Sequence, residues 1–150
     1  MSEGRNSAPG QYAGDVSPRE ALEAIQREAK AQLIDVRTDA EWNFVGLPDL
    51  TKAGRRPLLC QWQLFPSGGN PAFLVEAEDA LAQSGYVKGA PLYFLCRSGA
   101  RSRAAAIMMT EAGYGPCFNI TDGFEGALDT GRHRGNTGGW KAEGLPWKQT

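Results

Sequence analysis

Apolar and polar positions follow two rhythms along this chain. Ala21, Leu22, Ala24, Ile25 and Ala29 recur at helical spacing behind Ser17-Pro18-Arg19-Glu20. That quartet reads as a helix start, with Ser17 the N-cap, Pro18 the first helical residue and Glu20 the reciprocal capping-box partner. Gln32 to Val36 is a short apolar run of the kind found in buried strands, and a second helix is expected from near Asp39. Between Leu47 and Asn70, proline, glycine and paired arginines surround a single apolar run, Pro57 to Trp62, read as a strand. Helical spacing returns from Phe73 to Ser84, with Gly85 the C-cap. Pro91 to Cys96 is the clearest buried strand. Arg101 to Ala112 is an alanine- and methionine-rich helix ended by Gly113, and Pro116 to Thr121 is another strand. The glycine-rich stretch from Gly131 to Thr150 reads as loop. No segment repeats.

Strands that alternate with helices indicate an α/β domain with a mainly parallel central sheet and helices on both faces. Residues 1–10 read as a disordered arm and 11–150 as the domain. In such sheets, sites gather where strands give way to loops at their carboxyl ends. Asp35, Cys96 and Asp122 all fall at such ends.

Composition narrows the classes. The 150 residues suffice for one sizeable core, and 41% hydrophobic with 22% charged residues is ordinary for a globular chain. A net charge of −1 offers no general attraction for nucleic acid. No run approaches the roughly 18 apolar residues of a membrane span, and the polar beginning lacks the apolar core of a signal peptide. Cys60, Cys96 and Cys117 match neither a disulfide framework nor a zinc site, and His133 is the sole histidine. The expectation is a cytoplasmic chain without metal or cofactor, whose partners are neither nucleic acid nor membrane.

The chemistry concentrates in Cys96-Arg97-Ser98-Gly99-Ala100-Arg101-Ser102, between a strand and a helix. A cysteine there faces a helix N-terminus, whose unpaired N–H groups carry partial positive charge. Arg97 and Arg101 add full charges, and together these favour thiolate over thiol. Gly99 permits the tight curve that turns successive N–H groups inward, a cradle suited to an anion.

This loop, together with Leu33-Ile-Asp-Val-Arg37, Glu41-Trp42, the strand ending near Asp122-Gly123, and Gly138-Gly-Trp140 with Gly144-Leu-Pro-Trp147, resembles the rhodanese family of sulfurtransferases over residues 16–147. The resemblance implies that Cys96 accepts sulfane sulfur from a small anionic donor such as thiosulfate. It implies that a thiophilic acceptor (cyanide, a thiol or a protein) then takes the sulfur. By position, the N–H groups of Arg97, Ser98, Gly99, Ala100, Arg101 and Ser102 would cradle the transferred atom. The Arg97 and Arg101 side chains would recruit the donor, and Asp35, Arg37 and Glu41 would support the loop. The sequence departs from the family pattern at Val45 to Asp49 and onward to Asn70, at Asp122-Gly123-Phe124, and in an inserted Thr130 to Asn136.

Two other readings of the loop stand beside this one. Cysteine phosphatases and arsenate reductases use a related loop with arginine at the sixth position after the cysteine; here that position is Ser102, and arginine stands at the fifth. A non-catalytic binding or regulatory module is the other, although such modules commonly lack the cysteine. Cys60 and Cys117 lie in apolar patterns and read as core. His133, between Arg132 and Arg134, reads as solvated surface, with a docking patch for an acidic partner as the minority reading. The tryptophans read as packing residues, with Trp62 and Trp140 the candidates to wall the site. Asn119-Ile-Thr121 matches a glycosylation sequon but sits in a buried strand pattern.

Overall fold

The computed structural model describes residues 10–64 and 68–149. The expected N-terminal arm, apart from Gly10, lies outside the described residues. The elements in chain order are β1 (Gly14–Val16), α1 (Pro18–Arg27), β2 (Gln32–Asp35), α2 (Asp39–Phe44), β3 (Leu47–Pro48), a 3-10 turn (Thr51–Ala53), β4 (Leu58–Leu59), β5 (Gln63–Leu64), β6 (Gly68–Gly69), α3 (Phe73–Gln83), β7 (Leu92–Leu95), α4 (Ala100–Glu111), β8 (Cys117–Ile120) and β9 (Trp147–Lys148).

Five strands form one parallel sheet in the order β1-β8-β7-β2-β4, the expected α/β architecture. Alternation along the strands divides the core in two. Leu33, Tyr93, Leu95 and Ile120 point to one face and pack with Ala21, Leu22, Ala24 and Ile25 of α1. Ile34, Leu92, Phe94 and Cys117 point to the other, against Phe73, Ala77 and Leu81 of α3 and Ala105, Ala106 and Met109 of α4. Two helices therefore cover one face and one helix the other, leaving the carboxyl ends of β2 and β7 side by side.

Local chemistry sets the helix ends. Ser17 and Glu20 close the expected capping box at α1. Thr38 and Glu41 close a second one at α2. The α1 stripe stops short of expectation: Glu28 turns to extended backbone at the C-cap, so Ala29 is exposed beyond the helix. The Pro57–Trp62 run is less regular than a full strand. Only Leu58–Leu59 ladders with β2, although the Cys60 and Trp62 N–H groups still donate to Asp35 and Val36 carbonyls at 3.0 and 3.1 Å. The C-terminal stretch is not all loop, since β9 pairs antiparallel with β3. Among the described residues, no helix is long and apolar enough to cross a membrane.

Candidate active site

Cys96 immediately follows β7 and precedes α4, so the sheet delivers its sulfur to a helix N-terminus. The residue is 1% exposed. Gly99 N–H donates to Cys96 Sγ at 3.1 Å. Gly99 has φ of +117°, a left-handed conformation that glycine adopts freely and that lets the chain turn from loop into α4. The first turn of α4 leaves the N–H groups of Ala100, Arg101 and Ser102 without intrahelical acceptors.

The outer side of the loop is held by the chain after β8. Phe124 N–H donates to the Cys96 carbonyl at 2.8 Å, and Glu125 and Gly126 N–H groups donate to the Arg97 carbonyl at 2.9 and 3.2 Å. A trans peptide sets each C=O opposite the next N–H. Pinning these two carbonyls to the 124–126 segment thus turns the N–H groups of Arg97 and Ser98 away from it. Gly123 makes this approach possible: a Cβ there would lie 2.4 Å from the Cys96 carbonyl oxygen and 2.6 Å from the Arg97 carbonyl. The sequence Asp122-Gly123-Phe124 is thus a backbone seat for the cysteine loop.

Ser102 supplies the second contact to sulfur, with Oγ 3.2 Å from Sγ. Its single hydroxyl proton has three acceptors in reach: the Gly99 carbonyl at 3.2 Å, Asn119 Oδ1 at 2.6 Å, and Sγ itself. Ser102 can therefore accept from a Cys96 thiol or donate to a Cys96 sulfur anion. Asn119 is fixed in turn because its Nδ2 donates to Asp15 Oδ1 at 3.2 Å, and Tyr12 OH donates to the same oxygen at 2.8 Å. A hydrogen-bonded chain thus runs from Cys96 through Ser102 and Asn119 to exposed Asp15. Sequence reasoning missed Asp15 and Asn119. The signal for Asn119 was its place as the polar residue within Cys117-Phe-Asn-Ile120.

Glu41 and Arg101 meet directly across 60 residues of sequence, with Nη1 and Nη2 of Arg101 donating to the two carboxylate oxygens at 2.7 and 2.9 Å. Burial pushes the Glu41 carboxyl up, but Arg101 and the Thr38 N–H and hydroxyl outweigh it and hold the group at about 2. In this bidentate clasp the two terminal nitrogens of Arg101 are engaged by Glu41. Arg97, Ser98 and Ala100 form the exposed rim.

Asp35 and Arg37 form a fully buried pair, with Arg37 Nε and Nη2 donating to Asp35 at 2.9 and 2.6 Å and Nη2 also reaching the Gly46 carbonyl at 2.8 Å. The guanidinium lies over the Phe124 ring at 4.3 Å, so this pair bears on the loop through Phe124. Cys60 and Cys117 are buried, and burial pushes their thiols up to about 12 and about 11. Trp140 does not wall the site. Trp140 is fully buried in the α1-side core, where apolar packing outweighs its one polar atom, Nε1, which is satisfied by the Pro146 carbonyl. Trp62 packs edge-on against Phe73.

The model of the family described as the STR4 middle domain matches residues 13–150. An uncharacterized protein of Rickettsia rickettsii is 36% identical over 134 residues, spanning 89% of this chain and 96% of its own length. The crystal structure of Rv0390 from M. tuberculosis superposes with a TM-score of 0.84 at 46% identity, covering 93% of this chain and 100% of that one. The polysulfide-sulfur transferase homodimer of Wolinella succinogenes has a TM-score of 0.55 at 24% identity, over 91% and 78% of the two chains, a likeness of fold alone.

Proposed function

The chain belongs to the STR4 middle-domain family with a rhodanese-like fold, and from that premise we propose that it is a sulfurtransferase carrying sulfane sulfur on Cys96. The observation that carries this reading is the seat of the Cys96 sulfur: recessed, contacted by the Gly99 N–H and Ser102 Oγ, and facing the N-terminus of α4. Fixed N–H dipoles stabilise a sulfur anion without a separate general base. The short loop, with its arginine at the fifth position after the cysteine, fits a single sulfur atom better than a tetrahedral phosphate.

The reaction runs in two nucleophilic displacements. Cys96 thiolate attacks the sulfane sulfur of a donor such as thiosulfate. The new S–S bond forms as the bond to the sulfite group breaks, and sulfite leaves with the electron pair. An acceptor nucleophile then attacks the outer sulfur, and the bonding pair returns to Cys96 as thiolate. Exposed Arg97 attracts the anionic donor to the rim, and the Arg101–Glu41 clasp fixes the first turn of α4. Steady-state assays that vary thiosulfate and cyanide test this reading. Parallel double-reciprocal lines, and their loss in Cys96→Ser, are expected; turnover that survives Cys96→Ser overturns it.

A further inference from the structure

Hydrogen bonds beneath Cys96 fix one another's direction from the surface inward. Asp15 on β1 is exposed, and a carboxylate only accepts. The atom of Asn119 that meets Asp15 Oδ1 at 3.2 Å is therefore the amide nitrogen. That orientation turns Asn119 Oδ1 inward, where Ser102 Oγ stands 2.6 Å away. A carbonyl oxygen also only accepts, so the single Ser102 hydroxyl proton lies between these two oxygens. Both residues are buried, and among the described residues Ser102 is the one donor to Asn119 Oδ1.

The consequence falls on the sulfur. With its proton committed to Asn119, Ser102 presents lone pairs to Cys96 Sγ, 3.2 Å away. A thiol donates to those lone pairs, whereas a thiolate is repelled by them. For Ser102 to donate to the anion instead, Asn119 Oδ1 must lose its donor, leaving two buried oxygens 2.6 Å apart with no proton between them. Gly99 N–H acts in the opposite sense, donating to Sγ at 3.1 Å. The seat of the sulfur thus holds one group that favours the anion and one that opposes it. A persulfide avoids the opposition, because its charge resides on the outer sulfur and the inner one is neutral.

We propose that Asn119, oriented by Asp15, is a positioning residue that holds Ser102 as an acceptor toward Cys96. It favours thiol over thiolate in the empty site and leaves the persulfide unopposed. The proposal rests on the sulfurtransferase reading only in taking the thiolate as the reacting form. The charged groups around Cys96 are Arg97 and Arg101 of its own loop and helix, with Glu41 of α2 clasped to Arg101. The Asp35–Arg37 pair closes β2, and Asp122 follows β8 with its backbone nitrogen beside Gly99. Arg103 of α4 donates to Tyr12, which donates to Asp15. Cys60, with Glu76 of α3 acting on it, shares the core cluster, its thiol held up at about 12. Asn119→Leu leaves every one of these groups in place.

Thiolate absorbance at 240 nm, read across pH against the matching Cys96→Ser chain, tests this on the full protein. Asn119→Leu frees the Ser102 proton for the anion and should lower the midpoint of the Cys96 titration by about one pH unit, a tenfold change in the balance of thiol and thiolate. In a Ser102→Ala background the same substitution should shift nothing, because the hydroxyl it acts through is gone. Asp15→Ala, at an exposed position, lets the amide turn over and should lower the midpoint by less. The part of that shift due to the lost charge persists without Ser102, and the rest should vanish. A parent-like or raised midpoint in Asn119→Leu, or a full shift that persists without Ser102, overturns the proposal. If Asn119→Leu melts well below the parent, Asp15→Ala decides, and a shift wholly independent of Ser102 overturns the proposal. Thiosulfate loading followed by intact mass tests the sulfurtransferase reading separately. A Cys96 that titrates as proposed yet takes no sulfur overturns that reading and leaves the positioning of Ser102 standing.

Discussion

Replacing Glu41 by glutamine removes one charge and preserves the shape. In the folded chain the carboxyl group sits at about 2, against an ordinary 4.5, because Arg101 and Thr38 outweigh the burial that would raise it. At about 1.4 kcal/mol per tenfold, that difference corresponds to roughly 3 kcal/mol. The Glu41 and Arg101 side chains are 19% and 18% exposed, so solvent screening lowers the expected figure to about 2 kcal/mol. The sign is fixed by the direction of the shift. A depressed carboxyl group contributes stability wherever the unfolded chain would ionise it, above about 4.5, and that contribution is lost as pH falls from there toward 2. Urea unfolding of the parent chain and Glu41→Gln across this range provides the assay. The parent should exceed the variant by about 2 kcal/mol near neutral pH, with the gap narrowing below 4.5 and closing near 2. A gap that is absent at neutral pH, or that stays constant down to 2, refutes the clasp as an electrostatic element.

Arg101→Ala should cost little further stability once Glu41 is already glutamine, because the two changes remove one interaction; additive losses in a double-mutant cycle would contradict this. Gly123→Ala forces a Cβ to within 2.4 Å of the Cys96 carbonyl oxygen and should destabilise by about 2–4 kcal/mol while slowing sulfur loading; parent-like unfolding and loading would refute the backbone seat. Ser102→Ala leaves buried Asn119 Oδ1 without its 2.6 Å donor, and denaturant unfolding should register a loss of about 1–3 kcal/mol. Cys60→Ala should keep full transfer activity, because its thiol is held up at about 12; lost transfer in a folded variant would give Cys60 a redox part.

Local rules made much of the fold legible. Ser17-Pro18-Arg19-Glu20 announced α1 through its capping box, and β2, β7 and β8 followed from short apolar runs bounded by breakers. The cysteine loop was legible because its residues are contiguous. What escaped was non-local. A two-residue strand such as β3 has no period to detect, and its pairing with β9 spans about a hundred residues. The Glu41–Arg101 contact likewise joins distant segments, so no local pattern announced it. Asn119 was visible as a sequon, yet its meaning lies in partners from β1 and α4. Trp140 read as a wall for the site because bulk alone does not tell a rim from a core.

The account turns on whether Cys96 holds sulfur. Intact-mass spectrometry of the thiosulfate-treated chain, followed by peptide mapping, addresses this directly. The account predicts one added sulfur atom located on Cys96, removed by a thiol and absent in Cys96→Ser. An unmodified Cys96, or sulfur found on Cys60 or Cys117 instead, would contradict it.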